Sequence, residues 1–151
     1  MSGPAPPTAA APLRRPVSLA LVVAGGAVGT TVRALIESRY AAPAGGFPWA
    51  TFGINVAGAL LLGILVEALA LVGPGEPARQ RLRLTLGTGL LGGFTTYSTF
   101  VVESVSMATT GGVTLAAGYD IASILAGYVA AFGGMAAVSA LAGPTAGAGD
   151  G

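Results

Sequence analysis

Residues 89–103 read GLLGGFTTYSTFVVE. The stretch begins and ends as apolar helix, yet two glycines, three threonines, a tyrosine and a serine interrupt it. A helix broken inside a membrane frees carbonyls and amides that hydrocarbon cannot solvate. Such a break persists only where protein, water or an ion satisfies those groups. Freed carbonyls are hard oxygen ligands suited to an alkali cation, and freed amides and hydroxyls are donors suited to an anion. The Gly92-Gly93 pair supplies backbone freedom. Thr95 and Thr96 can divert hydrogen bonds from the helix, so a break is expected at this point. Tyr97 and Phe100 lie three apart just beyond it. Their positive ring edges can meet a small anion weakly, as conduction requires. The plainer alternative is a kinked, glycine-containing packing helix.

The surrounding composition says that this stretch lies in a membrane. The chain has 151 residues, 53% hydrophobic and 9% charged, with a mean hydropathy of +0.77. Soluble domains carry about 25% charged residues, so this chain lacks the charge to cover a water-facing surface. A net charge of +1 argues against nucleic-acid binding by phosphate neutralisation. There is no Cys and no His. That removes disulfides, thiol chemistry, the usual zinc ligands and the commonest general base. With no paired carboxylate at close spacing either, an enzyme is not expected.

Apolar runs of about 20 residues mark membrane helices. Four are predicted, at about 17–36, 49–72, 84–109 and 113–141, joined by short connections. They form a membrane domain over residues 17–141. The Pro- and Ala-rich residues 1–16 and the Gly- and Ala-rich residues 142–151 read as disordered tails. An even number of spans puts both termini on one side. Arg14, Arg15, Arg79, Arg81 and Arg83 lie on that side and Arg39 on the other, a bias toward cytoplasmic termini. Small residues repeat along the spans, as in Gly25-xxx-Gly29, and permit close helix approach. Four helices enclose little pore, so a transporter of this size calls for an oligomer, most simply a two-fold dimer.

Several polar residues fall inside the spans. Asn55 needs a partner in hydrocarbon: either an interhelical hydrogen bond or a place on an anion or water path. Arg33 either snorkels to the headgroups or is a buried cation that anchors a packed site or biases a vestibule. Glu67, Glu103 and Asp120 lie toward span ends and read as solvated or interfacial. Tyr119 and Ser123, four apart, share a helical face and could form a hydroxyl track.

Taken in order, these elements resemble the CrcB/Fluc family of fluoride channels. GGFTTYSTFVVE is similar to the family's third-helix signature, G-G-(apolar)-T-T-F-S-(T/S)-F-x-x-E. GGAVGTTVRALI resembles the first helix, with Arg33 at its arginine. TFGINVAGALLLGIL resembles the second, with Asn55 at its pore asparagine. GYDIASILAG resembles the fourth, with Tyr119 and Ser123 at polar-track positions. The resemblance spans about Ala24 to Gly134. It implies an all-α integral membrane protein of the bacterial inner membrane, with four transmembrane helices and the third broken near the bilayer midplane. It also implies a dual-topology antiparallel dimer, formed with a second copy or with an oppositely oriented homologue. Fluoride would pass along two pores at the subunit interface, past Asn55, Tyr97, Ser98, Thr99, Phe100, Tyr119 and Ser123. A structural sodium ion, not transported, would rest on the backbone carbonyls of Gly92 and Thr95. Such a channel lets out fluoride that entered as HF and dissociated in the cytoplasm. The expected partners are fluoride, membrane lipid and the second subunit, with no nucleic acid.

Two departures stand out. Tyr97 replaces the family's usual Phe and adds a hydroxyl that needs a partner. The arginine bias also runs against dual insertion. The main competing class, a small four-helix multidrug or proton-coupled transporter, normally needs a carboxylate embedded in its first span, and residues 17–36 contain none.

Overall fold

In the computed structural model, residues 14–43, 45–71, 77–110 and 112–143 are described. The two tails expected to be disordered fall mainly outside these residues. The described residues contain helices and no strand.

Helix α1 is Arg15–Arg39, with Pro16 in its first turn, where a missing amide proton costs nothing. Helix α2 is Trp49–Leu71 and starts directly after Pro48. A short α3, Pro77–Leu82, runs into a π-helical stretch, Arg83–Leu91, and then into one turn, α4, Gly92–Phe94. After the break come α5, Ser98–Thr110, and α6, Val113–Ala142. Helices α1, α2 and α6 are each long and apolar enough to cross a membrane, with mean hydropathies of 1.8, 2.2 and 1.9. The fourth membrane-length region is divided by the break between α4 and α5.

Large apolar side chains cover the outside: Leu19, Val23, Leu125, Val129 and Leu141 are all exposed. Lipid tails are as apolar as these side chains, so the helices associate through close packing instead. Glycine makes that contact possible. A Cβ at Gly29 would collide with the Leu90 carbonyl oxygen, and one at Gly25 with that of Thr85. So α1 lies backbone-to-backbone against the π-helical stretch. On the other side, Gly63 meets the Ala131 backbone and Gly134 approaches Ile64 N, which joins α2 to α6. The close contact expected of Gly25-xxx-Gly29 is therefore made with the third membrane region.

One expectation is corrected. Gly92 and Gly93 are helical, with Gly92 at φ −64° and ψ −32°. The chain leaves the helix at Thr95, at φ −77° and ψ 156°, a conformation open to any residue. Gly93 is small because α1 lies against it: an added Cβ would sit 2.9 Å from Thr30 Oγ1 and 3.1 Å from Gly26 Cα. The glycines admit α1, and the threonines end the helix.

Candidate functional site

The break is built from two successive threonines. Thr95 closes the incoming turn: its amide and its hydroxyl both donate to Leu91 O, at 3.0 and 2.9 Å. Thr96 opens α5. Its Oγ1 accepts from the Thr99 amide at 3.1 Å and donates to Thr99 Oγ1 at 3.0 Å, as a helix-capping threonine does. Between these caps the Thr96 backbone is left without a helical partner, and Asn55 supplies one. Its Nδ2 donates to Thr96 O at 2.9 Å, and its Oδ1 accepts from Thr96 N–H at 2.9 Å. One side-chain amide thus replaces two lost backbone bonds. Gly58, one turn along α2, leaves room for the Thr95 methyl.

Helix α1 holds the incoming half. Arg33 Nε donates to Gly93 O at 3.2 Å, and Thr30 Oγ1 approaches the same oxygen at 3.4 Å. The Arg33 Nη1 also pairs with Glu37 at 3.1 Å. Arg33 is therefore engaged on both sides, as a tie between α1 and the broken helix.

Among the described residues, no hydrogen bond reaches the carbonyls of Gly92 or Thr95, and none engages the amides of Tyr97 or Ser98. The break presents free carbonyls from its incoming side and free amides at the start of α5. The α5 amides carry the positive end of a helix dipole. Of these residues, Gly92, Thr95 and Tyr97 border one concavity.

A concavity of about 660 Å³ gathers much of the site. Its lining includes Asn55, Gly92, Thr95, Thr96, Tyr97, Phe100 and Ser123, and also Asp120. The Tyr97 and Phe100 rings are stacked with centroids 6.2 Å apart. Tyr97 is 79% exposed. The other expected residues are placed elsewhere. Ser98 faces outward, and Thr99 lines a second cavity of about 260 Å³ together with Glu37, Thr51 and Glu103. Tyr119 is fully buried against Met107, Ala116 and Phe100, and its hydroxyl donates to Glu103 Oε2 at 3.3 Å. Arg33 lines neither cavity.

The carboxylates of α5 and α6 are more enclosed than their expected span-end positions suggested. Glu103 accepts from Thr51 Oγ1 at 2.8 Å as well as from Tyr119, and Asp120 Oδ2 accepts from Ser104 Oγ at 2.9 Å. Glu67 remains peripheral, accepting from Ser139 Oγ at 2.7 Å. Thr51, Gly58, Ser104 and Asp120 were not singled out for the site by sequence. Only Asp120 carried a signal, as an ionisable residue within an apolar segment.

Residues 20–135 match the family described as CrcB-like protein, Camphor Resistance (CrcB). Fluoride-specific ion channel FluC 1 of Cutibacterium acnes is 42% identical over 130 residues, which cover 86% of this chain and 91% of that protein. FluC of Agrobacterium fabrum is 42% identical over 123 residues, 80% of this chain and 94% of its own. FluC 2 of Leifsonia xyli subsp. xyli is 45% identical over 125 residues, 82% and 85% of the two chains. A polar break bracketed by Asn55, set in a helical membrane chain that aligns with these proteins along most of its length, leaves one assignment: the chain belongs to the CrcB family.

Proposed function

We propose that this protein is a fluoride-specific ion channel of the bacterial inner membrane, giving passive export of fluoride from the cytoplasm. It is a channel and not an enzyme. The observation that carries the reading is the break at residues 95–97. It joins amides, hydroxyls and ring edges in one concavity with Asn55, in a chain about two-fifths identical to proteins named fluoride-specific ion channels.

The chain's own groups suit a small, strongly hydrated anion. Leaving water costs fluoride its hydrogen bonds, so the path must return donors. The Tyr97 amide, the Ser123 hydroxyl and the second N–H of Asn55 are such donors. The Tyr97 and Phe100 edges add weak attraction without a full charge that would trap the ion. Among the described residues no Arg lines this concavity. Thr99 and Ser98 support the start of α5, and Tyr119 backs the Phe100 ring, with centroids 5.1 Å apart. Arg33 fixes the incoming half against α1.

The structural sodium ion implied by the family fits the donor set. The carbonyls of Gly92 and Thr95 are hard, neutral oxygens without a hydrogen-bond partner among the described residues, and both residues border the same concavity. When bound, the ion supplies positive charge that holds broken helices together. Two carbonyls from one chain cannot surround a cation, and Gly92 is exposed on the single chain. A second copy in antiparallel orientation brings the same pair by two-fold symmetry and extends the pathway across the interface. An oppositely oriented homologue would serve equally, and the arginine bias leaves room for one.

Proteoliposomes carrying the purified protein should release fluoride and retain chloride; equal release of both ions, or of neither, contradicts the reading. Tyr97→Phe should conduct fluoride within about threefold of the wild type, less than 1 kcal/mol in barrier. The Tyr97 side chain is largely exposed on the single chain, and among the described residues its hydroxyl makes no hydrogen bond that phenylalanine would lose. Loss of flux in that variant would show that the hydroxyl takes part in conduction.

A further inference from the structure

Asp120 has no part in the pathway described so far, yet it lines the same concavity as Tyr97, Phe100 and Ser123. Among the described residues it is the one charged residue in that lining. Its carboxylate is held from one side only, by Ser104 Oγ at 2.9 Å on Oδ2. The other oxygen, Oδ1, is buried and makes no hydrogen bond. Among the described residues no cation balances it from the lining: Arg33 lies outside the concavity and is engaged with Glu37 and Gly93 O. The other carboxylate facing this part of α6, Glu103, is engaged by Thr51 and Tyr119 and lines the second cavity.

A fixed negative charge on the wall of an anion path raises the energy of an anion beside it. In a partly enclosed site the repulsion is stronger than in bulk water. We propose that Asp120 is a throughput-determining residue, whose charge opposes fluoride entry into the concavity and holds the rate below what the Asn55, Tyr97 and Phe100 wall would otherwise allow. This rests on the fluoride-channel reading above. Ser104 is the positioning residue: its bond keeps the carboxylate on the wall.

The test compares fluoride efflux from proteoliposomes of the wild type, Asp120→Asn, Asp120→Ala and Asp120→Glu. Asp120→Asn keeps an acceptor for Ser104 and removes the charge. It should speed efflux at low fluoride by roughly three- to tenfold and shift the fluoride dependence of the rate to lower concentration. Asp120→Ala removes the charge together with the acceptor for Ser104 and should shift it the same way. Asp120→Glu retains the charge and should stay near wild type. A conducting wild type with neither neutral variant faster, or with Asp120→Glu as fast as they are, overturns the proposal alone. A wild type that carries no fluoride overturns the channel reading and this one with it.

Discussion

Gly29→Ala is expected to separate α1 from the broken helix and abolish fluoride flux. The added methyl carbon would collide with Leu90 O and lie 2.8 Å from Phe94 N. Both are backbone atoms, so no side chain can swing aside. Relief requires α1 to move as a body. Overpacking of this kind costs about 1–3 kcal/mol where side chains can adjust, and more where only backbone can. The shift also withdraws Arg33 and Thr30 from Gly93 O. The incoming half then loses the groups that satisfy it in a medium that supplies none. The readouts are recovery of monodisperse protein in detergent and flux from the fraction that survives. Gly53→Ala is the control. Nothing lies within 4 Å of a Cβ at Gly53, and alanine favours helix by about 1 kcal/mol over glycine. That variant should match or exceed wild-type yield. Normal yield and flux for Gly29→Ala would mean that α1 and the π-helical stretch are not packed backbone-to-backbone.

Asn55→Leu should leave the helices in place and lower fluoride flux by at least about a hundredfold. Leucine has similar size and better helix propensity, so α2 itself is not weakened. What is lost is the pair of 2.9 Å bonds to the Thr96 amide and carbonyl. Each buried group left without a partner costs about 1–3 kcal/mol, and the concavity loses a donor as well. With tenfold in rate for about 1.4 kcal/mol, the two losses together account for the expected drop. Circular dichroism should show helix content unchanged while efflux falls. Flux within about twofold of wild type would show that water or a neighbouring group can bracket Thr96 unaided.

How far the sequence could be read depended on the scale of the physical signal. Membrane spans are written as runs of some twenty apolar residues, and α1, α2 and α6 follow them closely. The density of hydroxyls in residues 92–99 favoured a break over a kinked packing helix. Its position was less legible. Glycine adjacent to threonine suggests a flexible point at either residue type, and only tertiary contact with Gly26 and Thr30 shows Gly93 to be a packing residue. The π-helical turns at residues 83–91 leave no periodic mark that distinguishes them from α-helix over so short a length. Four-residue spacing did place Tyr119 and Ser123 on adjacent turns of α6. It did not distinguish a long ring, which reaches the core and Glu103, from a short hydroxyl that remains beside the concavity. Asn55 was legible as a residue in need of partners, but its partner, forty-one positions away, was not.

The central claim is selective passage of fluoride, and one measurement addresses it directly. Vesicles loaded with equal fluoride and chloride and containing the wild-type protein are allowed to discharge down their gradients, with both ions recorded by selective electrodes. Rapid fluoride loss with chloride retained at the level of protein-free vesicles is the predicted result. Loss of both ions at similar rates, or fluoride retained as in protein-free vesicles, would contradict it.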